Sequence, residues 1–290
     1  MDVRPPRDPE AFKSATRDQW DRCAAGWNAK SSVIRTWLQP STEAMLQQAA
    51  VVPGARVLDV AAGAGDQTLD IASRVGPEGF VLATDLSPAI LAFAADNASR
   101  HGFRNIETKV ADGEGLDVPE SSFDVAICRL GLMFFPDPLQ GLREMHRALK
   151  PGGRASTLVF STAEQNPCVA ILVSTALRHA GLPPRDPDQP GGPLSLGKPG
   201  RIDALFKAAG FEDVSTMRLS APFRLASVGA YLDFVRSSAS PIVDLLSRLD
   251  TSAQSAAWAD IEKRLRAFDR PGGWDGPNEL LLTSGRRNGA

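Results

Sequence analysis

The residues best placed to do chemistry are Asp59, the small residues Ala61-Ala62-Gly63-Ala64-Gly65, and Asp85. An apolar run ends at Asp59, the small residues follow almost at once, and Asp66 to Val75 reads as a helix. Such a turn lets a ligand approach the backbone, and the free N–H groups at a helix start receive polar or anionic groups. About twenty residues later a second apolar run, Phe80-Val81-Leu82-Ala83-Thr84, ends in Asp85, where a carboxylate is placed to hold the two hydroxyls of a ribose. Together these features predict a nucleoside-containing ligand lying across the first two strands of an open α/β sheet. Ala61 stands where a dinucleotide-binding loop has its first glycine, and the spacing is tighter than a pyrophosphate needs. No lysine and hydroxyl pair follows Gly65, which disfavours a triphosphate loop. A compact ligand with an adenosine part, an amino-acid tail and no phosphate fits best.

The remaining reactive side chains narrow the class. The three histidines, His101, His146 and His179, show no paired-ligand spacing, so no metal is expected. His101 precedes the helix-ending Gly102, His146 is expected on an exposed helix face, and His179 is the one candidate for a catalytic group. Cys23, Cys128 and Cys168 are too few and scattered for a disulfide framework and read as thiols in a reducing compartment. Thirty-two basic against 34 acidic residues leave a net charge of -2, which gives no bulk attraction to nucleic acid or anionic membrane. No apolar run approaches membrane-spanning length, and Met1 to Lys13 lacks the apolar stretch of a signal peptide. The expectation is a cytoplasmic protein with no nucleic-acid or membrane partner.

The elements that must position these residues alternate from Gly54 onwards. Strands are expected at 56–61, 79–84, 106–111, 123–128 and 154–160, the fourth buried on both faces by its near-continuous apolar pattern. Helices fall between them: 66–75, then Pro88 to about Arg100 with Ser87 as its cap, then Asp137 to about Leu149. Lys150-Pro151-Gly152-Gly153 reads as a turn. Right-handed crossovers then build a twisted, largely parallel sheet with helices on both faces. Residues 1–10 are expected to be a loose arm and 11–50 short helices, with Trp20, Ala24 and Trp27 on one face. After Ser161 the pattern predicts a helix at 166–181, a long loop to Gly200, a helix at 201–209 and a strand at 212–219. Helical segments at 227–249 and 253–268, a turn-rich stretch at 269–277 and a closing strand at 278–285 complete the chain.

In the order and spacing of VLDVAAGAGDQTL, ATDLSP, VADGEGLDVPESSFDVAICRLGLMFFPD and LKPGGR, the chain resembles class I S-adenosylmethionine-dependent methyltransferases. The branch is that of ubiquinone/menaquinone C-methyltransferases and related small-molecule enzymes, and the likeness covers about residues 50–161. It implies a Rossmann-like three-layer α/β sandwich with sheet order 3-2-1-4-5-7-6, strand 7 antiparallel, plus a helical cap. The expected division is a helical arm or lid at 1–50 and a cofactor-binding domain at 51–290, with substrate-covering insertions at about 162–200 and 225–270. Carried over by position, Asp59, Ala61, Gly63 and Gly65 would line the methionine moiety of S-adenosyl-L-methionine. Asp85 would hold the ribose, Leu86 would flank the adenine, and Asp112 with Gly113 would meet the adenine amino group. Arg129 and Leu130 would supply backbone contacts near the methionine end. Alanine at position 61 is tolerable there unless a positive φ is required.

For the methyl acceptor, Met133, Phe134 and Phe135 follow a central strand and are candidates for an apolar wall. Trp27 from the arm, Asn166 after the fifth strand and Tyr231 from a later helix are the other candidate acceptor residues. This lining suggests a small or medium, apolar or aromatic metabolite, and Arg129 admits an anionic handle. The alternatives are a nucleic-acid or protein methyltransferase and a cofactor-binding regulatory module without turnover. A homodimer is compatible with the sequence.

Overall fold

The computed structural model describes residues 8–238 and 240–289; residues 1–7 of the expected loose arm lie outside the described residues. Asp8 caps the first helix by accepting Ala11 N–H at 3.0 Å, so residues 8–10 begin a helix rather than extending the arm. The segment expected as short helices is two long ones, α1 (Pro9–Ala29) and α2 (Ser31–Gln48), broken only at Lys30 and with Pro40 inside α2.

The βα pattern then runs β1 (Arg56–Val60), α3 (Asp66–Val75), β2 (Phe80–Asp85), α4 (Pro88–Arg100), β3 (Ile106–Val110), β4 (Phe123–Arg129), α5 (Pro138–Ala148) and β5 (Leu149–Phe160). Local chemistry sets these boundaries. Ser87 and Asp137 accept the N–H of Ile90 and Gln140 at 3.1 and 3.0 Å, each followed by proline at the first helical position. Lys150 to Gly153 form part of β5 instead of a free turn; Leu149 already pairs with Phe123, and the register shifts before Val125 meets Arg154. Next come α6 (Pro167–His179), α7 (Arg201–Ala208), β6 (Phe211–Ser220), β7 (Phe223–Leu225), α8 (Val228–Ser238), α9 (Ser240–Ser247), α10 (Thr251–Leu265), β8 (Asp269–Arg270), β9 (Gly273–Gly276) and β10 (Glu279–Arg287).

Seven strands form one sheet in the order β3-β2-β1-β4-β5-β10-β6. Strand β10 runs antiparallel to both β5 and β6, and the other pairings in the sheet are parallel, so the expected order and the reversed seventh strand are present. Helices α3 and α4 pack together, as do α5 and α7, giving the two outer layers. The strand order reverses between β1 and β4, where an open α/β sheet has its ligand crevice. Over that crevice α1 packs on α4, α8 and α9, while α6 packs on α9 and α10. A second sheet, β7-β9-β8, was not anticipated; its two- to four-residue strands are too short to show alternation.

Candidate functional site

One cavity of about 370 Å³ crosses the tips of β1, β2 and β4 and continues under the helical cover. Ala61, Gly63, Asp85, Leu86, Asp112, Gly113, Arg129 and Leu130 all line it. Asp85 closes the floor: its Oδ2 accepts Gly63 N–H at 2.9 Å and its Oδ1 accepts Ser87 N–H at 3.0 Å. Burial raises the Asp85 pKa, opposed by those backbone donors. Gly63 has φ +59°, and a Cβ there would lie 3.6 Å from Trp27 Nε1, so the bare backbone and the indole face each other across the cavity. A ribose held by Asp85 and an amino-acid tail over Ala61 and Gly63 fit this cradle.

Ala61 itself adopts φ +55°, in the left-handed region where a side chain is strained by about 1–2 kcal/mol. The proviso attached to this alanine is met: positive φ is required, and the strain is accepted. Its Cβ also dictates glycine at position 131, where an added Cβ would sit 2.4 Å away.

Asp59 and Gly65 stand one layer behind the cavity wall. Gln67 Nε2–H and Thr68 Oγ1–H donate to the two oxygens of Asp59 at 3.0 and 2.6 Å, and the side chain is fully buried. Burial pushes its carboxyl up to about 6, despite those hydrogen bonds. The folded state therefore holds this proton more tightly than the unfolded chain, and stability should rise as pH falls from about 6 towards 4. Asp59→Asn is expected to flatten that part of the wild-type profile, because Thr68 can turn its hydroxyl to accept from the amide; Tm measured against pH checks it. Gly65 has φ +89° and lies against Ala94, 3.0 Å from where its Cβ would be, so its smallness admits α4.

Sequence reasoning missed Lys13. From α1 its Nζ donates to Asp112 Oδ2 at 2.6 Å and pairs with Glu114 Oε2 at 2.8 Å. Burial works against the ammonium, but both carboxylates outweigh it and hold the amine well above its ordinary pKa. Thus α1 is pinned to the end of the cavity where the adenine amino group is expected. Trp20 and Trp27 meet edge-to-face at 5.5 Å, and Trp20 continues onto Phe134 at 5.9 Å.

Beyond this roof the cavity becomes aromatic. Trp37 stacks on Phe223 at 3.9 Å, Phe223 meets Tyr231 at 5.3 Å, and Tyr231 stacks on Trp274 at 4.6 Å. Met133, Phe134 and Tyr231 line the cavity. Phe135 also lines it, but a Cβ at Gly113 or Gly141 would fall 2.2 or 2.6 Å from its ring. It is therefore wedged at the Asp112 end, away from the aromatic chamber. Asn278 lines the chamber too, with its Oδ1 buried and unpartnered.

Three further placements differ from expectation. Asn166 is fully buried, its Nδ2 donating to Ser161 Oγ and to the carbonyls of Thr162 and Glu279, and its Oδ1 accepting Glu279 N–H. It fastens β10 to the end of β5 and does not reach the cavity. His179 lies outside the cavity lining and meets Asp260 Oδ2 at 3.0 Å, bridging α6 to α10. His146 is likewise not on an exposed face: it packs edge-on against Phe211 at 5.0 Å, and burial lowers its pKa. Among the described residues no cluster of three or more His, Cys, Asp or Glu side chains is placed to hold a metal ion. No helix among them is long and apolar enough to cross a membrane.

Residues 32–172 match the model of the ubiE/COQ5 methyltransferase family. The chain is 40% identical over 126 residues to a ubiquinone/menaquinone biosynthesis C-methyltransferase of Hahella chejuensis, covering 43% of this chain and 50% of that protein. The YcgJ protein of Bacillus subtilis superposes with TM-score 0.58 at 19% identity, over 86% of this chain and 99% of that one. The fold is that of the class I S-adenosylmethionine-dependent methyltransferases. A Haemonchus contortus phosphoethanolamine N-methyltransferase 2, solved with S-adenosylhomocysteine and phosphomonomethylethanolamine, shares this class I fold with TM-score 0.60 at 16% identity, over 94% of this chain and 60% of that one. The chain spans about half the length of the curated relatives it matches.

Proposed function

We propose that this protein transfers a methyl group from S-adenosylmethionine to a small or medium, apolar or aromatic metabolite. The observation that carries this reading is the single cavity joining the Asp85 cradle to the aromatic chamber under α1. A bound sulfonium donor supplies an electrophilic methyl carbon there. The chain's own task is to hold and align: Asp85 takes the sugar hydroxyls, Asp112 the adenine amino group, and the aromatic walls fix the acceptor. Orientation of this kind accounts for several kcal/mol of a displacement barrier, roughly 7 or more in the best cases. Trp20, Trp27 and Lys13 close the roof and exclude water.

Among the described residues no histidine lines the cavity. Burial holds the Tyr231 phenol well above its ordinary pKa, so it stays protonated and serves as a hydrogen-bond donor rather than a base. The acceptor must then bring its own nucleophile, such as an enolate-like carbon, a phenolate, an amine or a thiolate. Tyr231 gives the aromatic chamber a hydrogen-bond donor suited to one neutral hydroxyl group on that acceptor.

The primary test is calorimetry with S-adenosylhomocysteine, followed by labelled-methyl transfer to a panel of phenols, quinols, amines and thiols. Binding with transfer to an apolar member supports the reading; a folded protein that ignores the nucleoside removes it. Tyr231→Phe is expected to raise the acceptor KM about tenfold, the loss of one hydrogen bond, while the S-adenosylhomocysteine Kd stays within about twofold. Equal damage to both would assign Tyr231 to packing alone.

A further inference from the structure

Arg129 ends β4 at the reversal point of the sheet, with 8% of its surface exposed, and lines the cavity together with Ala61 and Leu130. A guanidinium presents five N–H donors in a rigid fork. Here Nη1 donates to Thr42 Oγ1 at 2.9 Å, and among the described residues no carboxylate oxygen lies within 4 Å of its nitrogens. Three aspartates surround it at longer range, but each is engaged elsewhere. Asp59 accepts from Gln67 and Thr68, Asp66 accepts from Ser31, and Asp70 pairs with Arg35. Their charges act on the guanidinium at a distance, but among the described residues its remaining N–H donors have no hydrogen-bond acceptor.

The backbone beside it is held in an unusual conformation. Leu130 turns at φ +59° directly after Arg129, opposite Ala61 at φ +55° on β1. Two strained non-glycine residues facing each other at a ligand cleft mark a geometry that the surrounding fold enforces. The aromatic chamber lies beyond, at Trp37, Phe223 and Tyr231, so an anion on Arg129 would belong to the molecule lying over β1 and β4.

We propose that the Arg129 guanidinium is the receptor for the amino-acid carboxylate of the cofactor, gripping it through N–H groups that Thr42 leaves free. This rests on the methyl-donor reading above and adds to it a side-chain role where only backbone contacts were expected. A forked pair to a carboxylate is short and directional, so lysine, a point charge, replaces it only in part.

The experiment is calorimetry on the intact protein with two probes: S-adenosylhomocysteine, and its decarboxylated analogue, which keeps the amine and lacks the carboxylate. Wild type should bind the second probe about 50-fold more weakly. Arg129→Gln should lose about 50-fold towards S-adenosylhomocysteine and no more than twofold towards the analogue, with Arg129→Lys intermediate. Thermal unfolding alongside shows whether either variant folds, and Arg129→Lys preserves the buried charge if Arg129→Gln does not. Equal losses for both probes, or no loss for either, overturn the assignment. A wild-type protein that binds neither probe overturns the methyl-donor reading itself, a result distinct from any loss confined to the variants.

Discussion

Asp85→Ala is expected to weaken S-adenosylhomocysteine binding by about 100-fold or more, the largest effect of any single change at the site. Hydrogen bonds to a charged group contribute about 1.5–3 kcal/mol each, and a ribose offers two hydroxyls. The carboxylate also holds the floor together, since Gly63 N–H and Ser87 N–H both donate to it. Alanine leaves those donors without an acceptor in a buried place, so the loop carrying Gly63 loses its support as well as its ligand contact. Asp85→Asn keeps the shape and one acceptor oxygen and should fall between the two. Calorimetry gives the affinities, and thermal unfolding separates loss of contact from loss of fold. An Asp85→Ala protein that binds within threefold of wild type would place the sugar elsewhere.

The second large effect comes from a residue that touches no ligand. A Cβ on Gly26 of α1 would sit 1.9 Å from the Ser237 carbonyl oxygen and 2.9 Å from its carbon. Both atoms are backbone of α8, so no side chain can swing aside; the helices must separate. Gly26→Ala is therefore expected to destabilise the fold by about 1–3 kcal/mol, the usual range for overpacking. It should also tilt α1, the helix that brings Lys13, Trp20 and Trp27 to the cavity, and lower methyl transfer about tenfold or more. Gly229→Ala on α8 is the control: the nearest neighbour of its added Cβ is Ser227 Oγ at 3.5 Å, an ordinary contact. There the helix should be unaffected or stabilised by about 0.5–1 kcal/mol. Wild-type Tm and turnover in Gly26→Ala would show that the two helices do not approach as described.

How far the sequence could be read follows from the range of the interactions involved. The strand–helix alternation was legible from local periodicity, the strand order only through the family resemblance, and the place of Asp85 at a strand tip from a motif compressed into thirty residues, Arg56 to Asp85. Lys13 on Asp112 was not, since 99 residues separate the partners and neither has a neighbour that marks the pair. Asn166 shows the opposite failure. Polar and next to a strand end, it looks like a ligand contact, yet four hydrogen bonds tie it to the framework. Lys150 to Gly153 has the composition of a turn, but pairing of β5 with β4 carries it into the sheet. His146 fails for a similar reason, because Phe211, which buries it, arrives 65 residues later.

The place of β10 has a consequence for how the molecule is made. It lies between β5 and β6, although both precede it in the chain, and Arg287 at its far end donates to the carbonyls of His146 and Arg147, closing the last turn of α5. While the chain is being synthesised, β5 and β6 must therefore wait with their facing edges unpaired until more than fifty further residues have emerged. Such open edges are where nascent chains stick to one another. The final step of assembly is thus the insertion of a strand into a waiting slot, and slow release or premature termination before Glu279 would yield an aggregation-prone species rather than a shortened folded protein.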